Sequence, residues 1–311
     1  MIRAFAHAVR RTLGVATIQS DLARIAKRID AIEAHARQEN KWRGHFNGKI
    51  NALIRAQYLG DFLGDEYPFA ATARRFKLFS QNEEDGMVLA LLQAAGVVNR
   101  TFVEIGSGGS GGNSGMLATE FGWRGVMVDY DLENIKRAEQ KFGRNPHVAF
   151  EHLEVTPDNV NALIERNGLA GEVDFFSLDI DSFDYWVLEA MTACSPRVMV
   201  LEYNGHCGPK DSLTIAPDTD MSKAPKGVHG ASLTALTKLA ENKGYRLVAC
   251  DETGTNAFYL RNDLRPEIQA IPVDQAFRPL RDRKDPMGET TRPPLDLKAL
   301  AEKDEVELVE V

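Results

Sequence analysis

An apolar run that ends abruptly in a cluster of glycines is the feature that most constrains how this chain can fold. Residues 102–105 read Phe-Val-Glu-Ile, and residues 106–113 read Gly-Ser-Gly-Gly-Ser-Gly-Gly-Asn. This pattern is typical of a buried strand leading into a loop where the backbone comes close to a ligand. The loop by itself leaves two ligand classes open, a dinucleotide and S-adenosylmethionine.

Strands and helices alternate from Thr101 onward, which indicates a parallel sheet covered by helices on both faces. Predicted strands at 246–251 and 256–261 are separated by only four residues, so they must form an antiparallel hairpin, because a parallel crossover needs about a dozen residues or more. Five parallel strands followed by such a hairpin is the arrangement of class I methyltransferases. The predicted fold class is therefore α/β, with a Rossmann-like sheet of that class. The remaining predicted strands are 102–105, 126–128, 148–151, 175–180 and 198–202, and the predicted helices are 114–121, 132–141, 157–167, 185–192 and 231–243.

The residues around the loop discriminate between the two ligands. Gly106, Gly108 and Gly111 satisfy the G-x-G-x-x-G spacing of dinucleotide loops, and Asp129 follows at about the expected offset of 20 residues. Glu104 counts against a dinucleotide, because a pyrophosphate favours a helix N-terminus rather than an acid. An acid suits the amino and sulfonium groups of S-adenosylmethionine, and Asp129 would accept hydrogen bonds from its ribose hydroxyls. We expect Glu104, Gly106, Gly108 and Asp129 to bind S-adenosylmethionine, with an NAD(P)-dependent oxidoreductase as the alternative.

The segment before the sheet, residues 80–86, allows two interpretations. Ser80 has the spacing of a helix N-cap, with Glu83 at the reciprocal position of a capping box. Alternatively, Gln81, Glu84 and Asp85 lean over the cofactor. The spacing alone does not separate these alternatives.

Six blocks follow one another along the chain: 80–86, 102–106, 179–186 (Asp-Ile-Asp-Ser-Phe-Asp-Tyr-Trp), 202–204 (Glu-Tyr-Asn), 230–233 and 256–258. In this order they resemble the FkbM-like group of S-adenosylmethionine-dependent methyltransferases, over roughly residues 76–263. The resemblance implies methylation of a hydroxyl or related oxygen, often on a saccharide, polysaccharide or glycolipid. The chain departs from the family's pattern at Glu83, at Ser182-Phe183 and at His229, and the last two bear on the acceptor. With this resemblance, the expected cofactor-binding residues are Gln81, Glu84, Asp85, Glu104, Gly106, Gly108, Asn113, Asp129 and Asp179.

Ligands of open α/β sheets bind beyond the carboxyl ends of the strands, where the predicted strand ends meet. A saccharide hydroxyl is a poor nucleophile, so its proton must be removed or its oxygen polarised. A general base is one mechanism, with Asp181, His206 and His229 as the candidates. The other is a hard cation such as Mg²⁺, bound by Asp181, Glu202 and Asn204, with Asp179 and Asp184 nearby. Asp184 is equally well explained as the first-turn acid of the next helix.

Two segments flank this core on its C-terminal side. Residues 206–228 form a predicted loop of unusual length, which favours a lid that orders on ligand binding. Residues 264–311 are charged and rich in proline, and we expect a solvated extension packed lightly on the sheet edge, with strand character at 305–311. A basic cluster in this extension offers contact with an anionic substrate or lipid carrier as the alternative. Its members are Arg278, Arg281, Arg283 and Lys284.

The N-terminal arm, residues 1–60, carries two helical patterns. Residues 1–14 form a basic amphipathic pattern that suits either a peripheral contact with a membrane surface or a frayed helix start. Within residues 15–53 apolar side chains alternate at spacings of three and four, as in a coiled-coil seam. We expect self-association through this seam, and one long helix packed on its own chain is the alternative. The seam begins with Val15, Ile18, Leu22, Ile25, Ile29, Ile32 and Ala36.

Composition limits the remaining functional classes. The 311 residues carry a formal net charge of −8, so no overall basic character suggests nucleic-acid binding. Cys194, Cys207 and Cys250 are odd in number and lack metal-site spacing, which suits a reducing compartment. We therefore expect a cytoplasmic enzyme, for which the pattern of residues 1–14 leaves a peripheral position at the inner membrane face open. A non-enzymatic coiled-coil scaffold is a further alternative, and the acids Asp129, Asp181 and Glu202 argue against it.

Overall fold

The structure, a computed structural model, describes residues 75–225, 227–281, 295–303 and 306–311, together with the helical residues 24, 25, 27–29 and 33. The chain divides into two units, residues 1–51 and residues 52–311, and the fold below belongs to the second. The predicted membrane-contacting segment 1–14 lies outside the described residues. The predicted coiled coil 15–53 does so too, except for the few helical residues just named.

A seven-stranded sheet forms the centre of the second unit, in the order β3-β2-β1-β4-β5-β8-β7. Strands β1 to β5 run parallel, and β8 is antiparallel to both of its neighbours. This order and direction of strands are those of the class I methyltransferase fold, and they confirm the predicted fold class. The strands are β1 Thr101–Ile105, β2 Arg124–Asp129, β3 Val148–His152, β4 Gly171–Leu178, β5 Cys194–Glu202, β7 Tyr245–Cys250 and β8 Asn256–Arg261, while β6 Leu213–Ile215 lies outside this sheet.

Helices cover both faces of the sheet because both faces of its central strands are apolar. Side chains of successive strand residues point to opposite faces, and Phe102 and Val103 are buried in two different apolar clusters. No helix among the described residues is both long and apolar enough to cross a membrane. The helices are α1 Glu84–Ala95, α2 Gly115–Thr119, α3 Leu132–Phe142, α4 Val160–Arg166, α5 Asp184–Ala190, α6 Leu233–Asn242, α7 Val273–Ala276 and α8 Leu297–Lys303.

Several predicted boundaries are wrong by a few residues. Strands β4 and β5 both begin about four residues earlier than predicted, because they pair with each other from Gly171 and Cys194 onward. Helix α4 begins at Val160 rather than at Pro157, because residues before it form a turn in which the side chain of Asn159 accepts a hydrogen bond from the Thr156 amide. These differences arise from pairing and turn contacts that the apolar pattern does not encode.

The capping-box interpretation of Ser80 and Glu83 is wrong. Helix α1 begins at Glu84, four residues after Ser80, and its N-cap residue makes no side-chain capping hydrogen bond. Asp85 organises this segment instead. Its carboxylate accepts hydrogen bonds from the amides of Leu78, Phe79 and Ser80 at 2.6, 2.8 and 3.0 Å, and from the Ser80 hydroxyl at 2.9 Å.

The C-terminal extension packs more closely than predicted, and the long loop contains a short strand. Strand β6, within the loop, pairs antiparallel with β9 Leu308–Glu310. Leu297 and Val306 are buried against Ile215 and Val228 of the loop. The expectation of a lightly packed extension is therefore wrong for the described residues after 294, because their apolar side chains form a small core with the loop. Of the basic cluster, Arg283 and Lys284 lie outside the described residues.

Candidate functional site

The glycine loop is built around the buried carboxyl group of Glu104. This side chain is 1% exposed, and its two oxygens accept hydrogen bonds from the Asn113 amide at 3.1 Å and the Ser114 hydroxyl at 2.5 Å. The Asn113 side chain in turn donates to the Ser177 hydroxyl on β4. Burial raises the pKa of Glu104 to about 8, although these hydrogen bonds act in the opposite direction. The structure thus places Glu104 and Asn113 beneath the loop, where they fix its shape.

Gly106 marks a close approach between two strand ends. It has φ +84°, and a methyl group at its Cα would lie 1.5 Å from the carbonyl oxygen of Asp179. No side chain fits there, and L residues rarely adopt this backbone conformation. The end of β1 is therefore held directly against the residue that follows β4.

Asp129, the last residue of β2, closes the loop from the opposite side. Its Oδ2 accepts a hydrogen bond from the Gly108 amide at 2.8 Å, and its Oδ1 accepts from the Asp131 amide at 2.8 Å. The Asn134 side chain donates to the same Oδ1 at 3.2 Å. The carboxylate is thereby oriented at the carboxyl end of the sheet, 6% exposed, and its Oδ2 retains one acceptor position for a ligand.

Two buried acids, Glu84 and Asp251, connect the start of α1 with the hairpin of β7 and β8. Glu84 is fully buried and accepts hydrogen bonds from the Asn82 amide at 2.7 Å and from the Asn256 side chain at 3.1 Å. Asn82 also donates to Asp251 at 3.4 Å. Burial and the charge of Glu84 raise the pKa of Asp251 to about 6. The structure therefore unites two sequence blocks that lie 170 or so residues apart, and Glu84 serves this junction.

A cavity of about 180 Å³ opens at the carboxyl ends of β4 and β5. Its lining is largely polar. Asp181 and Glu202 contribute carboxyl groups, and Leu280 of the C-terminal extension supplies an apolar wall. The lining residues are Asp181, Glu202, Tyr203, Asn204, Gly205, His229, Thr255 and Leu280.

Three side chains of this lining converge. One ligand-type atom each of Asp181, Glu202 and His229 lies within 4.8 Å of the others, and His229 Nδ1 is 3.5 Å from Asp181 Oδ1. Burial raises the pKa of Glu202 well above its ordinary value, and the nearby charges of Asp179 and Asp181 act in the same direction. Asp181 has φ +54°, a conformation that non-glycine residues adopt mainly where the surroundings impose it, often at functional sites.

Asn204 and His206 have other surroundings than predicted. The Asn204 side chain donates to the carbonyls of Gly227 and His229 at 2.8 and 3.0 Å, and it accepts from the His206 amide at 3.0 Å. Asn204 thus shapes the loop that carries His229. His206 lies in a short 3₁₀ turn, Gly205–Cys207, and it is not among the described residues that line the cavity.

Asp184 is the first residue of α5, which confirms its first-turn position. Its carboxylate accepts from the Ile180 amide and the Ser182 amide, both at 3.0 Å. Burial raises its pKa to about 6, with the charge of Asp179 adding to the effect. Asp184 therefore fixes the turn that presents Asp181 to the cavity.

Seven of the predicted site residues fall into two groups. Gly106, Gly108, Asp129 and Asp179 meet at the loop, whereas Asp181, Glu202 and His229 meet at the cavity. Gln81 is exposed, and Asp85 is committed to the segment before α1. Sequence reasoning missed Asp251, Thr255 and Leu280. The resemblance reached 256–258, one residue beyond Thr255, but nothing in the extension singled out Leu280.

No protein-family model matches this sequence, and no curated protein matches it. Solved structures similar to part of the chain include three methyltransferases. N-methyltransferase NodS from Bradyrhizobium japonicum WM9 is 15% identical over 58% of this chain and 94% of that chain, with a TM-score of 0.37. An O-methyltransferase from Bacillus cereus in complex with SAH is 18% identical over 56% and 76%, with a TM-score of 0.35. A SAM-dependent methyltransferase from Aquifex aeolicus is 15% identical over 56% and 88%, with a TM-score of 0.34. Likenesses this distant carry no information on cofactor or substrate, so what this chain binds must be inferred from its own site.

Proposed function

We propose that this protein is an S-adenosylmethionine-dependent O-methyltransferase of the FkbM-like group. The observation that carries the proposal is the juxtaposition of two half-sites along one edge of the sheet. The glycine loop with Asp129 occupies the ends of β1 and β2, and the acid-lined cavity occupies the ends of β4 and β5. A donor and an acceptor bound in these half-sites would lie next to each other, because β1 pairs directly with β4.

The donor half suits a cationic nucleoside. Asp129 offers the remaining acceptor position of its Oδ2 to a ribose hydroxyl. The tight backbone at Gly106 allows close approach of the ligand to the main chain. Asp179 follows β4 directly against Gly106 and supplies a carboxyl group near the expected position of the sulfonium and amino groups. Opposite charges at such a site favour binding, most of all where water is excluded.

A dinucleotide has weaker support from the same loop. A pyrophosphate is usually bound by the free amides of a helix N-terminus. Helix α2 has only five residues, and the Asn113 amide and Ser114 hydroxyl before it already donate to Glu104. Two donors just before that helix are therefore engaged by an acid of the protein itself.

The acceptor half suits a hydroxyl-rich molecule. Carboxyl, amide, imidazole and hydroxyl groups line the cavity, whereas Tyr203 and Leu280 offer apolar contacts. A saccharide presents both kinds of surface, and the FkbM-like resemblance implies a saccharide, polysaccharide or glycolipid acceptor. The acceptor oxygen attacks the methyl carbon, the carbon–sulfur electron pair returns to sulfur, and the hydroxyl proton is released. Positioning of the two reactants supplies much of the rate in such an in-line displacement.

Calorimetry with S-adenosylhomocysteine and, in parallel, with NAD tests the donor assignment. We expect binding of S-adenosylhomocysteine, no binding of NAD, and a loss of about 10- to 100-fold in affinity for Asp129→Asn. That loss corresponds to a hydrogen bond with a charged group, about 1.5–3 kcal/mol. Asp158→Asn, which changes an exposed acid elsewhere on the molecule, serves as the matched control.

Transfer of an isotopically labelled methyl group to a panel of hexoses, hexosamines and a glycolipid extract tests the acceptor class. Label should appear as an ether that survives mild alkali, unlike a methyl ester. Binding of NAD in place of S-adenosylhomocysteine would overturn the proposed donor, and labelling of amines or carboxylates alone would overturn the proposed acceptor.

A further inference from the structure

Asp181, Glu202 and His229 come from three separate parts of the fold and meet at one point. Asp181 follows β4, Glu202 ends β5, and His229 lies in the loop before α6. One ligand atom from each lies within 4.8 Å of the others. Two ligands of one tetrahedral ion at about 2.0–2.2 Å each lie about 3.3–3.6 Å apart. His229 Nδ1 and Asp181 Oδ1 already have such a separation, 3.5 Å, and side-chain movements of about 1 Å suffice to bring all three groups onto one ion.

The surroundings add a second, independent reason for a bound cation. The three side chains face the same cavity, so an ion held there would remain open to a further ligand. Carboxyl groups also cluster at this point, since Asp179, Asp181 and Asp184 lie near Glu202. Within the described part of the chain, no lysine or arginine forms an ion pair with Asp181, Asp184 or Glu202, and His229 is the basic group that contacts Asp181. A divalent cation would offset the repulsion between the ionised forms of these carboxyl groups.

We propose that Asp181, Glu202 and His229 bind a divalent first-row transition-metal ion, with Mn²⁺ or Zn²⁺ as the best match, and that this ion binds the acceptor hydroxyl. The inference rests on the proposed methyl transfer for its role in the reaction, but the binding of metal itself does not depend on that function.

The identity of the third ligand determines the class of metal. The sequence suggested Asp181, Glu202 and Asn204, an all-oxygen set that suits Mg²⁺. In the structure the Asn204 side-chain NH₂ donates to the carbonyls of Gly227 and His229, and its Oδ1 accepts from the His206 amide. The imidazole of His229 contacts Asp181 and adds a nitrogen ligand beside the two carboxyl groups. Imidazole favours Zn²⁺ and other transition metals, whereas Mg²⁺ prefers oxygen ligands.

The metal would act on the acceptor rather than on the donor. A hydroxyl bound to a divalent cation loses its proton more readily, so the alkoxide forms at lower pH. The proton would pass to solvent, which the 75% exposed Asp181 side chain contacts. The alkoxide oxygen then forms its bond to the methyl carbon as the carbon–sulfur bond breaks toward sulfur. No oxidant or reductant takes part in this sequence.

Metal binding can be measured directly on the full chain. Protein without a histidine tag is stripped by dialysis against a chelator, then freed of chelator, and titrated by calorimetry with Mn²⁺, Zn²⁺ or Mg²⁺. We expect one Mn²⁺ or one Zn²⁺ per chain, bound at least about tenfold more tightly than Mg²⁺. Pulsed electron paramagnetic resonance of the Mn²⁺-loaded wild-type protein should show nitrogen modulation from one imidazole.

Variants assign the site. His229→Gln and Asp181→Asn should each weaken Mn²⁺ binding by at least about tenfold, because loss of even outer-shell partners costs metal sites 10- to 100-fold. His229→Gln should also abolish the nitrogen modulation. The matched controls His147→Gln and Asp158→Asn change exposed residues elsewhere on the molecule and should leave both readouts unchanged.

Three results would overturn the inference: no saturable Mn²⁺ or Zn²⁺ binding, wild-type protein without nitrogen modulation, or equal affinity for Mg²⁺. In the first case His229 and Asp181 would act as a direct acid–base pair. Binding of S-adenosylhomocysteine, measured on the stripped protein, separates the two proposals. If it persists while metal binding is absent, the metal inference fails alone. If metal binds but S-adenosylhomocysteine does not, the proposed methyl transfer fails and the metal site stands.

Discussion

Glu104 carries a carboxyl group that remains protonated over much of the neutral pH range, because burial raises its pKa from 4.5 to about 8. Between these two values the folded protein retains a proton that the unfolded chain releases. The free energy of unfolding therefore falls as pH rises through this window, at most by about 1.4 kcal/mol per pH unit. Below pH about 4.5 the group contributes no pH dependence, because both states are protonated.

Glu104→Gln should remove this pH dependence, because the amide keeps a similar shape and does not ionise. We expect the variant's stability relative to wild type to increase from pH 5 to pH 8. Urea unfolding at several pH values measures the difference. Glu120→Gln, at an exposed position, provides the control. A constant difference between wild type and Glu104→Gln across this range would contradict the raised pKa.

At the residue scale the sequence predicted those site residues that follow directly from strand ends. Asp129 and Asp181 come at or just after a strand, and parallel strands bring their carboxyl ends to one edge of the sheet. Leu280 and Asp251 could not be predicted this way. Their position depends on packing between elements far apart in the chain, for which no periodic signal exists. Asn204 was predicted at the correct edge, but its hydrogen bonds to the Gly227 and His229 carbonyls required the folded loop.

The small sheet of β6 and β9 is the element most relevant to the acceptor side. It connects the chain after residue 294 to the loop that carries His229, and Leu297 is 6% exposed in the core beneath it. Leu297→Ala should destabilise this contact by about 2–5 kcal/mol, the usual cost of such a truncation in a core. The loop between residues 209 and 225 should then open locally more often.

Limited proteolysis, with cleavage sites identified by mass spectrometry, measures that opening. We expect faster cleavage within residues 209–225 for Leu297→Ala than for wild type or for Val98→Ala, which truncates a 59% exposed side chain. Bound cofactor and acceptor should slow the cleavage if the loop also closes over them. Equal cleavage rates in all three proteins would show that the contact does not restrain the loop.

At the element scale the alternation of strands and helices was sufficient to predict the sheet and its hairpin. The pairing of β6 with β9 was not, since each has only three residues and their partners lie about a hundred positions apart. The predicted start of α1 was also wrong, because Asp85 bonds to the amides of residues 78–80 and exchanges hydrogen bonds with the Ser80 hydroxyl, which holds these residues outside the helix. Short elements and side-chain anchors depend on tertiary contacts that sequence periodicity does not contain.

At the scale of the whole molecule, the N-terminal unit bears on the oligomeric state. Ile25 and Ile29 are helical, about half exposed, and spaced by four residues, as expected for positions of an unpaired coiled-coil seam. We propose that the protein forms a homo-oligomer through this seam. The double substitution Ile25→Asp and Ile29→Asp should then lower the mass in solution to that of a single chain.

Light scattering coupled to size-exclusion chromatography measures this mass. Lys27→Asp, on the flank of the same helix, introduces similar charge outside the seam and should retain the oligomer. Binding of S-adenosylhomocysteine should be the same in all of these proteins, since residues 1–51 form a unit separate from the site. A wild-type protein that is already a single chain would contradict the proposal.

The position of β8 between β5 and β7 has a consequence for biosynthesis. Strand β5 is complete at Glu202, but its second neighbour is not made until residues 256–261 have been translated. In the interval the nascent chain presents an open strand edge with apolar side chains on both faces, including Val198, Met199 and Val200. Such an edge readily pairs with other chains. We expect the ribosome-bound intermediate to aggregate more readily than the finished protein, and slow translation of residues 203–255 to prolong its exposure to chaperones and to neighbouring nascent chains alike.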